Sequence, residues 1–464
     1  MSQSPQDAVA ASPVDQKPPG RDCIVYLPGM GESSRMDQTV DGLAHILASA
    51  LALNAADRTA TFSAKVRAVE DLSLCKGEVG TIYRKDEQGD YPVIDIYRLD
   101  YRGTLIERYE NRNLLVKTLL LLLALPGGLL RVLRAMLPGR SAKTRAEKFQ
   151  LLYALGILCM LVVYLAILFG AVWTTIQDAR RVSTTISSQK AKTAKTASDS
   201  PNPSQADTPP PETNKKTVFG RLAQAVVVLW AAIGLFLPPK FNLKDMISKA
   251  AVDYVCLIYY LKLGEQRNII VGRLETLIDK ISQRSENERK KGSGDAYRHI
   301  HLVAYSFGSI VALDTMFPAD REPGRPLEAV DTLVTIGCPF DFVRALWPSY
   351  FDTRREYDEK RQVRWLNVYS PLDTLGSNFR NDPRKADPNI NIRAEQIAPG
   401  SDVPAPTNVP FKEGLDLSEL SWMSSFTLIG LRAHALYWSV KSEGEVNCFN
   451  DLVKQMYGRE GILG

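Results

Sequence analysis

The sequence predicts an α/β protein, a mostly parallel sheet flanked by helices with an inserted pair of membrane helices. Two apolar runs, Cys23 to Leu27 and His301 to Tyr305, each end in a turn of small residues and lead into an apolar-faced helix. That strand-turn-helix rhythm belongs to parallel sheets. Between the two runs the chain changes character, and Leu151 to Trp173 holds 23 residues without a charge. The chain has 464 residues, enough for one large domain with an insertion or for two to three ordinary ones.

Charge excludes one class of partner. The net charge is +5, from 57 basic and 52 acidic residues, which gives no argument for nucleic acid. The six cysteines have no paired spacing, so buried or reduced thiols are expected instead of a disulfide frame.

Residues 1–20 are rich in Pro, Ser, Gln and Asp and carry no apolar core of a signal peptide, so they read as a disordered leader. The first part of the core then runs over 21–110. Its first strand breaks at Pro28-Gly29-Met30-Gly31-Glu32 before a helix over about 36–53. Such a glycine-bearing turn could bind a dinucleotide, approach a substrate carbonyl, or simply close a βα connection. The first use needs a third glycine where Ser34 stands. Alternation at 61–70, 79–84 and 92–101 predicts three strands flanking the core sheet.

Residues 111–245 form the predicted membrane insertion. The uncharged run at 150–173 is long enough for a hydrocarbon layer of roughly 30 Å. A second, shorter apolar run at 220–238 ends at Pro238-Pro239, and the segment between them, 177–216, is low-complexity Lys, Thr, Ser, Ala and Pro. A third run, within 114–137, is interrupted by Pro126-Gly127-Gly128 and followed by arginines, and it reads as an interfacial or re-entrant helix. If both halves of the core share one sheet, the number of crossings is even, and two spans satisfy this. Nine basic residues flank the core side and seven the linker side, a slight bias that favours a cytoplasmic core.

The second part of the core, 246–464, begins with helical periodicity from 245 to about 285, one helix leading into the His301 strand. At the end of that strand stands Ala304-Tyr305-Ser306-Phe307-Gly308. Small residues two before and two after a serine let strand and helix cross closely and lift the hydroxyl clear of the sheet. The bland alternative is a serine capping an ordinary helix. A serine nucleophile also needs a base, an acid to orient it, and donors for the oxyanion.

The pattern A-x-S-x-G resembles the nucleophile elbow of the α/β-hydrolase superfamily, particularly its lipases and esterases. That resemblance implies the chain order Ser, acid, His. Of the four histidines only His434 follows Ser306. It lies in His434-Ala435-Leu436-Tyr437-Trp438, which looks like the H-x-x-Y-W ending of some lipase-like hydrolases. Val363 to Tyr369 reads as a strand, and Asp373 follows its turn as the expected acid. The rival is Asp341, after Gly337-Cys338-Pro339-Phe340, a segment similar to the turn many lipases carry one strand after the elbow; there an acid is more in keeping with a structural role or a helix cap. The turn at 28–31 resembles the H-G-x-G oxyanion loop with Pro28 in place of the histidine. By that resemblance the amides of Met30 and Phe307 form the oxyanion hole, with Gly29, Gly31 and Gly308 giving the close approach.

The resemblance implies an ester hydrolase that needs no metal or cofactor. Location beside apolar helices makes lipid esters the first expectation, with thioesters or small esters second and a non-catalytic membrane scaffold as a different class. His299 and His301 share a strand face without a third metal ligand in sight. The last expected elements are a strand at 389–393 and a helix near 446–456.

Overall fold

In the computed structural model, the described residues are 20–30, 39–69, 78–87, 89–101, 103–107, 111–112, 114–136, parts of 151–177, 243–319, 324, 328–347, 350, 363–370, 373, 375–379, 406–411, 434, 437–438 and 447–457. In chain order the elements are β1 (Arg21–Leu27), α1 (Val40–Asn54), β2 (Thr61–Ala68), β3 (Glu78–Asp86), β4 (Gly89–Arg98) and α2 (Leu114–Met136). There follow α3 (Leu243–Ile258), α4 (Glu265–Lys290), β5 (Tyr297–Tyr305), α5 (Phe307–Met316), β6 (Thr332–Ile336), α6 (Phe340–Leu346), β7 (Arg364–Tyr369), β8 (Thr407–Pro410) and α7 (Cys448–Tyr457).

The protein is α/β, built on one 8-stranded sheet in the order β2-β3-β4-β1-β5-β6-β7-β8. From β4 through β8 every neighbouring pair is parallel, and β2 and β3 form an antiparallel edge. Sequence predicts why: Cys23 to Leu27 of β1 and Leu302 to Tyr305 of β5 are apolar runs, and these stretches are buried as strands covered on both faces must be. On one face Leu43, Leu47 and Leu51 of α1 and Leu452 and Val453 of α7 pack over Ile24, Tyr26, Val303 and Val334. Thr39 caps α1, its side chain accepting the Gly42 amide at 3.0 Å.

β1 has β4 on one side and β5 on the other, and the chain leaves β1 toward one edge and later returns to the other. A sheet of this kind opens a crevice at the carboxyl ends of its strands where the winding direction changes. Here that place is the end of β1 and β5, occupied by Pro28-Gly29 and Ser306.

The chain divides into two compact units, one of residues 1–101, 268–344 and 348–464, the other of 102–267 and 345–347. The first contains the whole sheet. In the second, α2 runs unbroken from Leu114 to Met136 with Pro126 inside it, which corrects the interruption expected at Pro126-Gly127-Gly128. The glycines serve packing instead: a methyl on Gly128 would overlap the Tyr254 hydroxyl of α3, and that hydroxyl reaches the Ala124 carbonyl at 3.4 Å.

One further expectation is revised. The helical stretch before β5 is two helices, because the chain turns at Gly264 with φ 70° after a π-turn at Tyr259–Leu263. The last described strand is β8, within a stretch that the alternation left unassigned; the segment expected as a strand at 389–393 lies outside the described residues. So do the leader through residue 19, the second apolar run at 220–238, all of the 177–216 linker but residue 177, and parts of 150–173. Among the described residues, no helix is long and apolar enough to cross a membrane.

Candidate active site

Ser306 stands at the apex between β5 and α5 with φ 52° and ψ −124°. A residue with a Cβ holds such a conformation only where its surroundings over-determine it. They do here. The Ser306 amide donates to the Ile336 carbonyl at 2.8 Å, tying the apex to the end of β6. Beneath it, a methyl on Gly308 would fall 2.6 Å from the Leu27 carbonyl oxygen and 2.7 Å from that of Pro28, so α5 can leave at this angle only over a glycine. Ala304 is fully buried.

Three side chains separated in sequence converge on this apex. His434 Nε2 lies 2.7 Å from Ser306 Oγ, and His434 Nδ1 lies 2.8 Å from Asp373 Oδ2. A carboxylate has no proton to give, so Nδ1 carries the hydrogen and Nε2 presents its lone pair to the serine hydroxyl. The geometry allows the imidazole to take the hydroxyl proton as the oxygen attacks an electrophile. The Asp373 side chain is fully buried and that of His434 is 12% exposed.

Asp373 is placed by its loop. Its amide donates to the Ser370 carbonyl at 3.1 Å. Its Oδ1 accepts the Leu375 amide at 2.9 Å, and Oδ2 accepts the Tyr437 hydroxyl at 2.8 Å in addition to His434. Tyr305, the residue before Ser306, stacks on the His434 ring with centroids 5.4 Å apart, and its hydroxyl donates to the His434 carbonyl at 2.5 Å. His434 is therefore held through both its ring and its backbone.

Asp341, the rival acid, lies in the first turn of α6 and accepts the Ser377 hydroxyl at 2.5 Å. Burial pushes its carboxyl above the usual carboxylate range, against the opposing pull of Ser377 and Arg344. It anchors the loop that carries Asp373, helped by Asn367, which bridges the Ser377 carbonyl at 2.8 Å and Asn408 of β8 at 2.9 Å.

The loop after β1 lies against Ser306, since a methyl on Gly29 would stand 3.0 Å from its Cβ. Met30 follows Gly29 in the chain and is half-buried, and Phe307, next to the serine in sequence, opens α5. Tyr101 donates its hydroxyl to the Pro28 carbonyl and turns that oxygen away from solvent. Gly31 lies outside the described residues. His299 and His301 stack with centroids 6.0 Å apart at the opposite end of β5, and the buried His301 faces Asp22 at 3.8 Å. Among the described residues no group of three or more His, Cys, Asp or Glu is arranged to hold a metal.

Sequence reasoning named no role for Tyr437, Tyr101, Gly337, Asn367 or Ser377. Tyr437 stood inside the quoted H-x-x-Y-W stretch and Gly337 one residue past β6, so position relative to the strand ends was the available signal. The fold and the site define an α/β protein with a hydrogen-bonded Ser-His-Asp constellation at the carboxyl edge of its parallel strands. Comparison with family models, with curated proteins and with solved structures found no match.

Proposed function

We propose that this protein is a serine ester hydrolase of the α/β-hydrolase type. The observation that carries the reading is the continuous contact Ser306 Oγ to His434 Nε2 and His434 Nδ1 to Asp373 Oδ2, at 2.7 and 2.8 Å, with the serine strained at a strand-to-helix apex. In this mechanism Ser306 attacks the ester carbonyl while His434 accepts its proton. His434 then protonates the leaving alcohol, Asp373 stabilises the imidazolium, and water activated by the same histidine releases the acid. The amides of Met30 and Phe307 hold the oxyanion.

Lipid esters are the substrate class this reading favours, with thioesters or small esters second. Support comes from the uncharged run Leu151 to Trp173 and from α2, whose Leu119, Leu122, Leu123, Leu130 and Leu133 are exposed. We take the two apolar runs as a membrane hairpin with the sheet-bearing unit on the cytoplasmic side. The test is labelling of membrane fractions containing the full chain with a fluorophosphonate probe. Labelling that disappears in Ser306→Ala and falls sharply in His434→Ala is expected. A folded parent protein that stays unlabelled beside a labelled control hydrolase overturns the reading in favour of a non-catalytic scaffold.

A further inference from the structure

Tyr437 meets the site through both its ring and its hydroxyl. Its ring is fully buried, wedged between Phe411 at 5.7 Å and Tyr305 at 6.3 Å between centroids, and lies edge-on to His434 at 6.3 Å. Its hydroxyl has one proton, and that proton goes to Asp373 Oδ2 at 2.8 Å. The same oxygen accepts the Ser370 amide at 2.8 Å. The Ser370 amide, the Tyr437 hydroxyl and the Asp373 carboxylate thus form a chain of donors ending on the oxygen that His434 Nδ1 also uses. Because each bond polarises the next, the phenol is a stronger donor than an isolated tyrosine would be.

We infer that Tyr437 is a positioning residue for the acid-base pair, fixing the Asp373 oxygen in line with His434 Nδ1 and sharing the carboxylate's charge. This rests on the hydrolase reading above. Two glycines support it, since both leave room where a side chain would break the arrangement. A methyl on Gly376 would lie 2.5 Å from Asp373 Oδ2 and 3.0 Å from the Tyr437 hydroxyl. One on Gly337 would lie 2.8 Å from the Tyr437 ring and 3.2 Å from both Asp373 Oδ2 and His434 Cε1. The surroundings hold no other charged side chain in contact with Asp373 among the described residues: Oδ1 meets the Leu375 amide, Tyr305 covers His434, and Asp341 is engaged by Ser377.

The direction of the effect follows from charge. A carboxylate relieved of one donor keeps more negative charge for the imidazolium beside it, and the imidazolium then holds its proton to higher pH. Tyr437→Phe therefore moves the acid limb of the labelling-rate profile upward, by about half to one pH unit for one lost hydrogen bond to a charged group. Positioning loss lowers the plateau rate about tenfold as well.

The experiment measures the second-order rate of fluorophosphonate labelling of the full chain in membranes from about pH 5 to 9. It compares parent, Ser306→Ala, Tyr437→Phe and the parent carrying 3-fluorotyrosine at 437 by site-specific incorporation. The fluorinated phenol is a better donor of nearly the same size, so it should fold even if the phenylalanine variant does not, and it should move the acid limb downward. Opposite displacements of the limb, or the downward one alone where Tyr437→Phe does not fold, establish the role. An acid limb that stays in place in every folded variant, with Ser306-dependent labelling intact in the parent, overturns the positioning role and leaves the hydrolase reading standing. Absence of Ser306-dependent labelling in the parent overturns both.

Discussion

The Pro28 carbonyl oxygen and the Gly308 α-carbon approach so closely that a methyl group on Gly308 would lie 2.7 Å from that oxygen. The first loop and α5 therefore meet backbone to backbone, an approach that the absence of a side chain at Gly308 allows. Gly308→Ala forces the two apart. Its expected result is a loss of about 1–3 kcal/mol of stability from overpacking together with near-complete loss of fluorophosphonate labelling. Thermal unfolding and labelling of the same preparation check both.

Gly337 should behave differently. It has φ 55°, and a methyl there meets the Tyr437 ring, Asp373 and His434. Gly337→Ala is expected to cost about 1–2 kcal/mol for the left-handed backbone, and to reduce the labelling rate far more than it lowers the melting temperature. Equal proportional losses at Gly308 and Gly337 would count against a site-specific role for Gly337.

Asp373→Asn keeps the shape of the acid but offers His434 a neutral partner and can invert its tautomer. A fall of about 10⁴-fold in turnover of an ester substrate is expected at neutral pH, as for the loss of charge in other Ser-His-Asp sites. Asp341→Asn, one strand away, should leave the turnover within a few-fold. A larger effect at Asp341 than at Asp373 would reverse the roles assigned to the two acids.

Asp341 also predicts a pH dependence of stability. Its folded-state carboxyl is raised by burial, so the folded protein prefers it protonated. Its contribution is fully present below the ordinary aspartate value of 3.8 and is lost as pH rises from there through the folded value. Relative to Asp341→Asn, the parent is accordingly most stable in acid and loses ground toward neutrality, which melting curves from about pH 4 to 7 would show.

Asp22 carries the opposite sign. Burial alone would raise its carboxyl, but the neighbouring His301 and the hydrogen bonds and charge of Arg298 outweigh that and hold it below the usual value. Arg298 reaches both of its oxygens at 3.1 and 3.2 Å. Its contribution is present above 3.8 and is lost as pH falls through the lowered folded value. Asp22→Asn should therefore flatten the acid end of the parent's stability curve, and an unchanged acid transition in that variant would remove Asp22 as its origin.

Much of the fold was readable from local pattern. The carboxyl halves of β1 and β5 announce themselves as the apolar runs Cys23 to Leu27 and Leu302 to Tyr305, and the chain order that the resemblance implies, with the scarcity of histidines, narrowed the candidates to Asp373 and His434. What escaped depended on distant neighbours. Pro126 looks like a helix break because its missing amide is visible in sequence, whereas the Tyr254 contact that gives Gly128 its purpose is 126 positions away. Gly264 divides two helices that share one periodicity. Asn367 and Asn408 are buried partners of one another across β7 and β8, a pairing that no local pattern signals. Tyr437 gave no local sign of its hydroxyl's target, since Asp373 lies 64 residues earlier.

The central pairing of the sheet has a consequence for how the protein is made. β1 lies against β5, with Arg21 opposite Tyr297 and Leu27 opposite Ala304, so the strand synthesised first waits roughly 270 residues for its neighbour. Through most of translation the apolar β1 has β4 on one flank and an open backbone ladder on the other. Parallel pairing at such separation forms slowly, and an exposed apolar edge invites pairing with other chains. A nascent chain arrested before residue 297 should thus be an obligate chaperone client, and recovery of folded protein should depend more on elongation rate than on the stability of the finished sheet.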